Sequence, residues 1–229
     1  MNIEEISNDY GLKIIYDAAH AFYTKIHGET VLDQGDMSIL SFHATKAFNT
    51  MEGGAVITSN KKIKNQVDLL RNFGFVDEET VVVPGINAKM DEVRAAYGLL
   101  ELKIVEKEIE KRKKIVEYYR KYLKNVKGIK YLEEIEGVKH ANQYFPIFID
   151  QNEYGKSRDE VYEYLKKSNI YARKYFYPLI SQFSPYNGLP SASPKKLPVA
   201  EKIVRQVLCL PIYGDLEEKT LEKICKLLK

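Results

Sequence analysis

Lys46 stands in Ser41-Phe-His-Ala-Thr-Lys46, just past a short apolar run, with Glu52-Gly53-Gly54 close behind it. A lysine held among small residues at a strand end is partly desolvated. That favours the neutral amine, which is the form that condenses with a carbonyl in Schiff-base chemistry. The two glycines permit close backbone approach or a positive φ. The bland alternative is a solvated loop lysine, one of 35 basic residues. Asp17 follows Leu12-Lys-Ile-Ile-Tyr16 and so ends a core strand. Open α/β sheets bind ligands at that edge. A carboxylate there can keep a pyridine nitrogen protonated and preserve an electron sink; it can equally cap a following helix. His20 could stack or hydrogen-bond beside the same ring, although a lone histidine is more often structural. Ser41 could bind a phosphate through its hydroxyl, or simply occupy a turn. Asn87, in Pro84-Gly85-Ile-Asn87, could reach a phosphate from its glycine loop or cap the next helix.

The elements that must position these residues read as follows. Residues 2–10 form a short amphipathic helix stopped by Gly11, and Leu12 to Tyr16 is a strand. Helix, glycine and strand make the second half of a βαβ unit, with the first half missing. Met37 to Phe42 and Gly54 to Thr58 are further strands. Ser59-Asn60 could cap a helix running to about Asn72, with Ile63, Val67 and Leu70 on one face. Residues 73–88 are a loop with strand-like Val81-Val-Val inside it. A long helical region follows, with apolar spacing at Met90, Val93, Tyr97 and Leu100. It bends near Lys103 and continues through Val105, Ile109, Val116, Tyr119 and Leu123. Its other faces mix Lys with Glu106, Glu108 and Glu110, the pattern of a solvated surface and not of a phosphate grip. Beyond it come a strand at Gln143–Ile149, a helix at Asp159–Lys167, a strand at Ile170–Tyr175, and a Pro/Ser/Gly-rich loop at Ser181–Lys196. A helix at Pro198–Val207, an extended run at Cys209–Ile212 and a final helix at Leu216–Leu228 close the chain. This predicts an α/β protein with a large domain over residues 1–105, an incomplete and mostly parallel sheet with helices. A small α+β domain follows over residues 106–229.

The chain has 229 residues, 45% hydrophobic and 29% charged, with a formal net charge of +3. That composition excludes a disordered or collagen-like chain and gives no sequence-wide case for nucleic-acid binding. Cys209 and Cys225 are too few for a disulfide framework and have no metal spacing. They read as buried thiols of a reducing compartment. No apolar run reaches the roughly 18 residues of a membrane span. The opening Met1-Asn-Ile-Glu-Glu-Ile is acidic, unlike a signal peptide. A cytoplasmic protein with no membrane partner is expected.

The combination and order of these motifs resemble the DegT/DnrJ/EryC1/StrS family of sugar aminotransferases. The matching text is Ile15-Tyr-Asp-Ala-Ala-His20, Gly35-Asp-Met-Ser-Ile-Leu-Ser-Phe-His-Ala-Thr-Lys46, Glu52-Gly-Gly-Ala-Val-Ile-Thr58, Arg71-Asn-Phe-Gly74 and Pro84-Gly-Ile-Asn-Ala-Lys-Met-Asp-Glu-Val-Arg-Ala-Ala96. Leu197-Pro-Val-Ala200 and Val207-Leu-Cys-Leu-Pro-Ile-Tyr213 look like its C-terminal signature. The resemblance implies a fold-type-I enzyme dependent on pyridoxal 5'-phosphate (PLP), moving an amino group from glutamate to a nucleotide-linked keto-deoxysugar. On that footing Lys46 matches the lysine that binds the cofactor aldehyde and then shuttles the proton. Asp17 matches the carboxylate at the pyridine nitrogen. His20 stands where many members have Gln, against the ring. Ser41 matches a phosphate ligand. Asn87 matches a residue reaching the phosphate of a neighbouring subunit's cofactor, which implies a homodimer. Arg173, in Tyr171-Ala-Arg-Lys-Tyr-Phe-Tyr-Pro178, is placed facing the sugar nucleotide. The Arg-Lys-Tyr-Phe-Tyr-Pro-Leu wording resembles members acting at C4 of a dTDP-linked 4-keto-6-deoxyhexose, with Ile180 where others carry His.

The family's N-terminal part holds a Gly-Thr/Ser phosphate loop and an aromatic that stacks on the ring. No stretch here matches either one. The expectation is therefore a partial large domain with an open sheet edge or face. The alternative reading is a truncated, inactive remnant or one half of a split enzyme, binding PLP weakly or not at all by itself. A nucleic-acid module would need a one-sign helical face, which is lacking. A sugar dehydratase of the family would be expected to replace Lys46.

Overall fold

A computed structural model describes residues 3–229. The elements run α1 (Ile3–Tyr10), β1 (Ile15–Asp17), β2 (Lys25–Ile26), β3 (Glu29–Thr30), β4 (Met37–Ser41), β5 (Gly54–Ile57), α2 (Lys61–Leu70), α3 (Glu92–Leu102) and α4 (Val105–Leu123). Then come β6 (Ile129–Tyr131), β7 (Val138–Lys139), β8 (Phe145–Ile149), α5 (Gln151–Tyr154), α6 (Arg158–Lys167), α7 (Pro198–Val204), β9 (Val207–Leu210) and α8 (Glu218–Leu227). The expected start of the first helix at residue 2 lies outside the described residues. No described helix is long and apolar enough to cross a membrane.

The chain forms two compact units. One runs through Lys107 and takes back Ile135–Gln143; the other is Glu108–Glu134 with Tyr144–Lys229. The sequence reading places residues 106–229 in one unbroken domain. The returning segment departs from that because β7 pairs with β2, Lys25 opposite Lys139 and Ile26 opposite Val138. That ladder occupies the edge of β2 opposite β3, where backbone groups need partners.

In the first unit β4 is the middle strand of the order β1-β4-β5. β1 lies parallel to β4, with Asp17 opposite Ile39. β5 lies antiparallel to β4, with Ser41 opposite Gly54. The mostly parallel sheet of the sequence reading is thus one parallel and one antiparallel pair, and the other two sheets pair only antiparallel. The reason is local: residues 42–53 fold back on themselves, the Phe42 amide donating to the Gly53 carbonyl, so the chain re-enters beside β4 in the opposite direction. Gly54 makes that return possible, since a Cβ there would lie 2.6 Å from the Leu40 carbonyl oxygen.

Strand alternation sorts this sheet into two faces. Ser38 and Leu40 point to the buried one. Ile15, Ile39 and Val56 share the other and stay 58%, 38% and 43% exposed. Helices begin where caps allow it. Asn60 accepts from the Lys62 and Ile63 amides to start α2, and Asp91 accepts from the Arg94 amide to start α3, each satisfying orphan donors.

The second unit has the antiparallel order β6-β8-β9. Its core joins Tyr119 and Leu123 of α4 to Ile147 and Ile149 of β8, Leu165 of α6, Leu208 of β9 and Ile224 of α8. Each buried aliphatic side chain contributes about 1.5–3 kcal/mol. Ser157 and Glu160 form a full capping box at the start of α6. The Tyr119 hydroxyl donates to the Pro211 carbonyl at 2.8 Å, so its burial leaves no orphan. The strand expected over Ile170–Tyr175 is a single bridge, Arg173 opposite Cys209. That bridge lies on the edge of β9 that β8 leaves free. The bend near Lys103 is present, between α3 and α4.

Candidate active site

The carboxyl ends of the parallel strands β1 and β4 lie at one edge of their sheet, since Asp17 and Ser41 are their last residues. The chain leaves this edge through two irregular segments, and each carries a side chain toward the other. From the β1 side comes His20. From the β4 side comes Lys46. The Lys46 Nζ lies 2.8 Å from the His20 Nε2. Asp17 faces the same imidazole electrostatically and accepts the Ala19 amide at 3.1 Å through Oδ1. The bland reading of Asp17 as a helix cap is thereby replaced by a cap on a tight turn, because no helix follows β1.

The His20 pKa is lowered from its ordinary value. Burial is the main cause and the Lys46 charge adds to it, while the Asp17 carboxylate opposes both. The ring is thus biased toward the neutral form, which keeps a lone pair for the amine.

The lysine loop is held rigidly. The Phe42 amide donates to the Gly53 carbonyl at 2.8 Å and the Thr50 amide to the Phe42 carbonyl at 2.9 Å. Phe48 stacks on Phe22 at 4.5 Å and meets Phe42 edge-on at 4.9 Å. Gly98 of α3 lets the loop approach, since a Cβ there would lie 2.8 Å from Thr50 Cγ2. His43 Nδ1 pairs with Thr45 Oγ1 at 2.9 Å, and His43 Nε2 lies 3.6 Å from Glu52 Oε1.

The sequence reading misses one residue of this group. The Gln143 carboxamide accepts the Ala47 amide and donates to the Thr45 carbonyl, both at 2.5 Å. It bridges the peptide groups on either side of Lys46. Nothing in the sequence marks it, because it lies 98 positions from Thr45 and was read as the start of a strand.

The remaining candidates are placed less closely. The Ser41 hydroxyl accepts the His43 amide at 3.4 Å, a local turn contact. Asn87 is exposed and its backbone pairs with Asn72. It does not cap α3, a role that Asp91 takes. Arg173 belongs to the second unit. It is exposed, and its backbone exchanges two hydrogen bonds with Cys209 at 2.9 and 2.8 Å. Its neighbour Lys174 pairs with Asp159 at 2.5 Å and lies 4.5 Å over the Tyr162 ring. Arg158, almost fully buried, donates to the Val207 carbonyl at 3.1 Å and lies 5.0 Å over the Tyr177 ring. Both cysteines are buried and unpaired, and burial pushes each thiol up to about 11. No cluster of metal-ligating side chains occurs among the described residues.

The chain is 48% identical, over 99% of its length, to a dTDP-4-amino-4,6-dideoxy-D-glucose transaminase of Escherichia coli, and covers 61% of that protein. It matches the crystal structure of DesI, described in the presence of its TDP-sugar product, with a TM-score of 0.90 and 33% identity over 99% of this chain and 57% of that one. A Streptococcus pneumoniae chain described as a sugar aminotransferase in its PLP form shares the fold, with a TM-score of 0.86 and 22% identity over 98% of this chain and 59% of that one. The chain thus spans about three-fifths of the length of the curated relatives it matches. The lysine loop, the aspartate strand end and the C-terminal signature all lie within one family model matched over residues 1–229, and the chain belongs to the DegT/DnrJ/EryC1/StrS aminotransferase family.

Proposed function

We propose that this chain carries the amine and ring-binding residues of a PLP-dependent aminotransferase. The donor is glutamate. The acceptor is a nucleotide-linked keto-deoxysugar, a dTDP-4-keto-6-deoxyhexose aminated at C4. The observation that carries this reading is the 2.8 Å pairing of Lys46 with His20 beside Asp17, at the carboxyl edge of a parallel strand pair. The donor set fits the cofactor: a primary amine for its aldehyde and a carboxylate for its ring nitrogen, separated by a flat imidazole.

When bound, pyridoxal phosphate supplies the aldehyde that takes the amino group from glutamate and passes it to the keto sugar. The work of the chain's own side chains is narrower. Lys46 binds the aldehyde carbon through Nζ, and the same nitrogen moves the proton at the substrate carbon. Asp17 holds a proton at the ring nitrogen. His20 lies against the ring. Ser41 would donate its hydroxyl proton to a phosphate oxygen, with the hydroxyl oxygen still accepting the His43 amide. Asn87 serves the phosphate in a second copy of the chain, which makes the working form a dimer. Arg173 faces the sugar nucleotide. The two buried, unpaired thiols suit a cytoplasmic enzyme.

A second reading is a fold of the same family that does not take up the cofactor by itself. One experiment separates the two. The full chain is incubated with PLP, reduced with borohydride, and mapped by mass spectrometry. A visible absorbance band and a reduced adduct on Lys46, both lost in Lys46→Ala, support the cofactor role. An unlabelled Lys46 favours the second reading. Amino transfer from glutamate to the dTDP-keto sugar then tests the whole reaction.

A further inference from the structure

Lysine has a flexible four-carbon stem, and fixing its amine in one place costs up to about 2 kcal/mol of rotamer entropy. Something must hold Nζ where a carbonyl can meet it. The obvious holder, Asp17, uses an oxygen on the Ala19 amide. The atom hydrogen-bonded to the amine is the His20 Nε2, at 2.8 Å.

We infer that His20 is the positioning residue of the Lys46 amine, holding it by accepting its hydrogen bond at Nε2. This rests on the aminotransferase reading only for the use made of the amine; the pairing itself stands apart from it.

Proton counting decides the direction of the bond. An ammonium is a donor with no lone pair, so the Nε2 facing it is unprotonated and the imidazole carries its proton on Nδ1. A second proton on the ring removes the acceptor and sets two cations at bonding distance. The charged groups that face the imidazole are Lys46, from the loop after β4, and Asp17, from the end of β1. Lys46 favours the neutral ring and Asp17 the protonated one. Asp17 therefore influences the amine through the imidazole, and acid releases the amine by protonating His20.

The test has two arms on the full chain. The first is nitrogen-15 NMR of His20 without cofactor. The expected result is the Nδ1–H tautomer, with a titration midpoint that moves up in Lys46→Met. The opposite tautomer, or a midpoint unmoved by that substitution, overturns the pairing. The second arm follows the rate of borohydride-trapped PLP labelling at Lys46 against pH. The rate is expected to fall on the acid side at the His20 midpoint measured by NMR. In His20→Gln, which keeps an acceptor but cannot titrate, that limb is expected to move to lower pH. In His20→Leu labelling is expected to fall about tenfold at neutral pH, equivalent to about 1.4 kcal/mol for one charge-assisted hydrogen bond. A profile unchanged in His20→Gln, together with full labelling in His20→Leu, overturns the positioning role. Labelling absent at every pH counts against the aminotransferase reading, and the NMR arm then still decides the pairing.

Discussion

Gln143 clasps the loop that carries Lys46, its carboxamide oxygen taking the Ala47 amide and its nitrogen reaching the Thr45 carbonyl, both at 2.5 Å. A side-chain amide satisfies two peptide groups at once, and the residue between them is the candidate cofactor lysine. The clasp comes from the segment Ile135–Gln143, which returns to the first unit after the chain has begun the second.

Removing this clasp should loosen the lysine loop. Gln143→Leu leaves two peptide groups without their partner, at about 1–3 kcal/mol for each that stays dry. Amide exchange at Ala47 should speed by roughly tenfold or more, the equivalent of 1.4 kcal/mol. Gln143→Glu keeps the acceptor for Ala47 and should protect that amide while losing the bond to Thr45. Hydrogen exchange resolved by residue checks both. Equal protection in all three proteins contradicts the clasp.

Gly54 should not tolerate a side chain. The added Cβ meets backbone, the Leu40 carbonyl oxygen at 2.6 Å. Gly54→Ala should therefore push β5 off β4 and destabilise the fold by about 1–3 kcal/mol. Urea unfolding measures this, and a midpoint within error of the parent would mean the strands absorb the methyl.

The pH dependence of His20 has a definite sign. Its folded pKa is lowered, first by burial and then by Lys46. The unfolded chain binds the proton more readily, so stability rises with pH through this window. The contribution is complete above the ordinary histidine pKa. It is lost as pH falls below that value and through the lowered one. Lys46→Met should shrink this acid loss, because one cause of the lowering is gone. Thermal unfolding compared at acid and neutral pH reads the difference.

The core of the second unit should be sensitive to truncation. Leu208 of β9 and Ile224 of α8 are fully buried in the same cluster. Leu208→Ala or Ile224→Ala should cost about 2–5 kcal/mol each. Denaturant unfolding monitored by tyrosine fluorescence follows that loss. A change below about 1 kcal/mol would show that the cluster refills the space.

Asp17, Ser41 and Lys46 stand at or just past short apolar runs, which marks strand ends; their candidate roles came from the resemblance to a family and not from residue order. Ser59-Asn60 and Gly11 were legible as helix signals from their local type, and the structure gives the cap to Asn60. The bend at Lys103 followed from a break in helical spacing. These features depend on neighbours a few positions away.

Tertiary structure decided what depends on distant partners. The antiparallel course of β5 comes from a loop whose two ends hydrogen-bond each other, which strand patterning does not specify. The short β2, β3 and β7 carry too few residues for a period to show. Arg173 reads as the middle of a strand but finds a single partner on β9. The pairing of His20 with Lys46 spans 26 positions, and the clasp of Gln143 on Thr45 spans 98. Local order marked the strand ends where Asp17 and Ser41 stand and the loop that carries Lys46; only packing at one sheet edge, a long-range matter of backbone pairing and burial, determined that Lys46 meets His20.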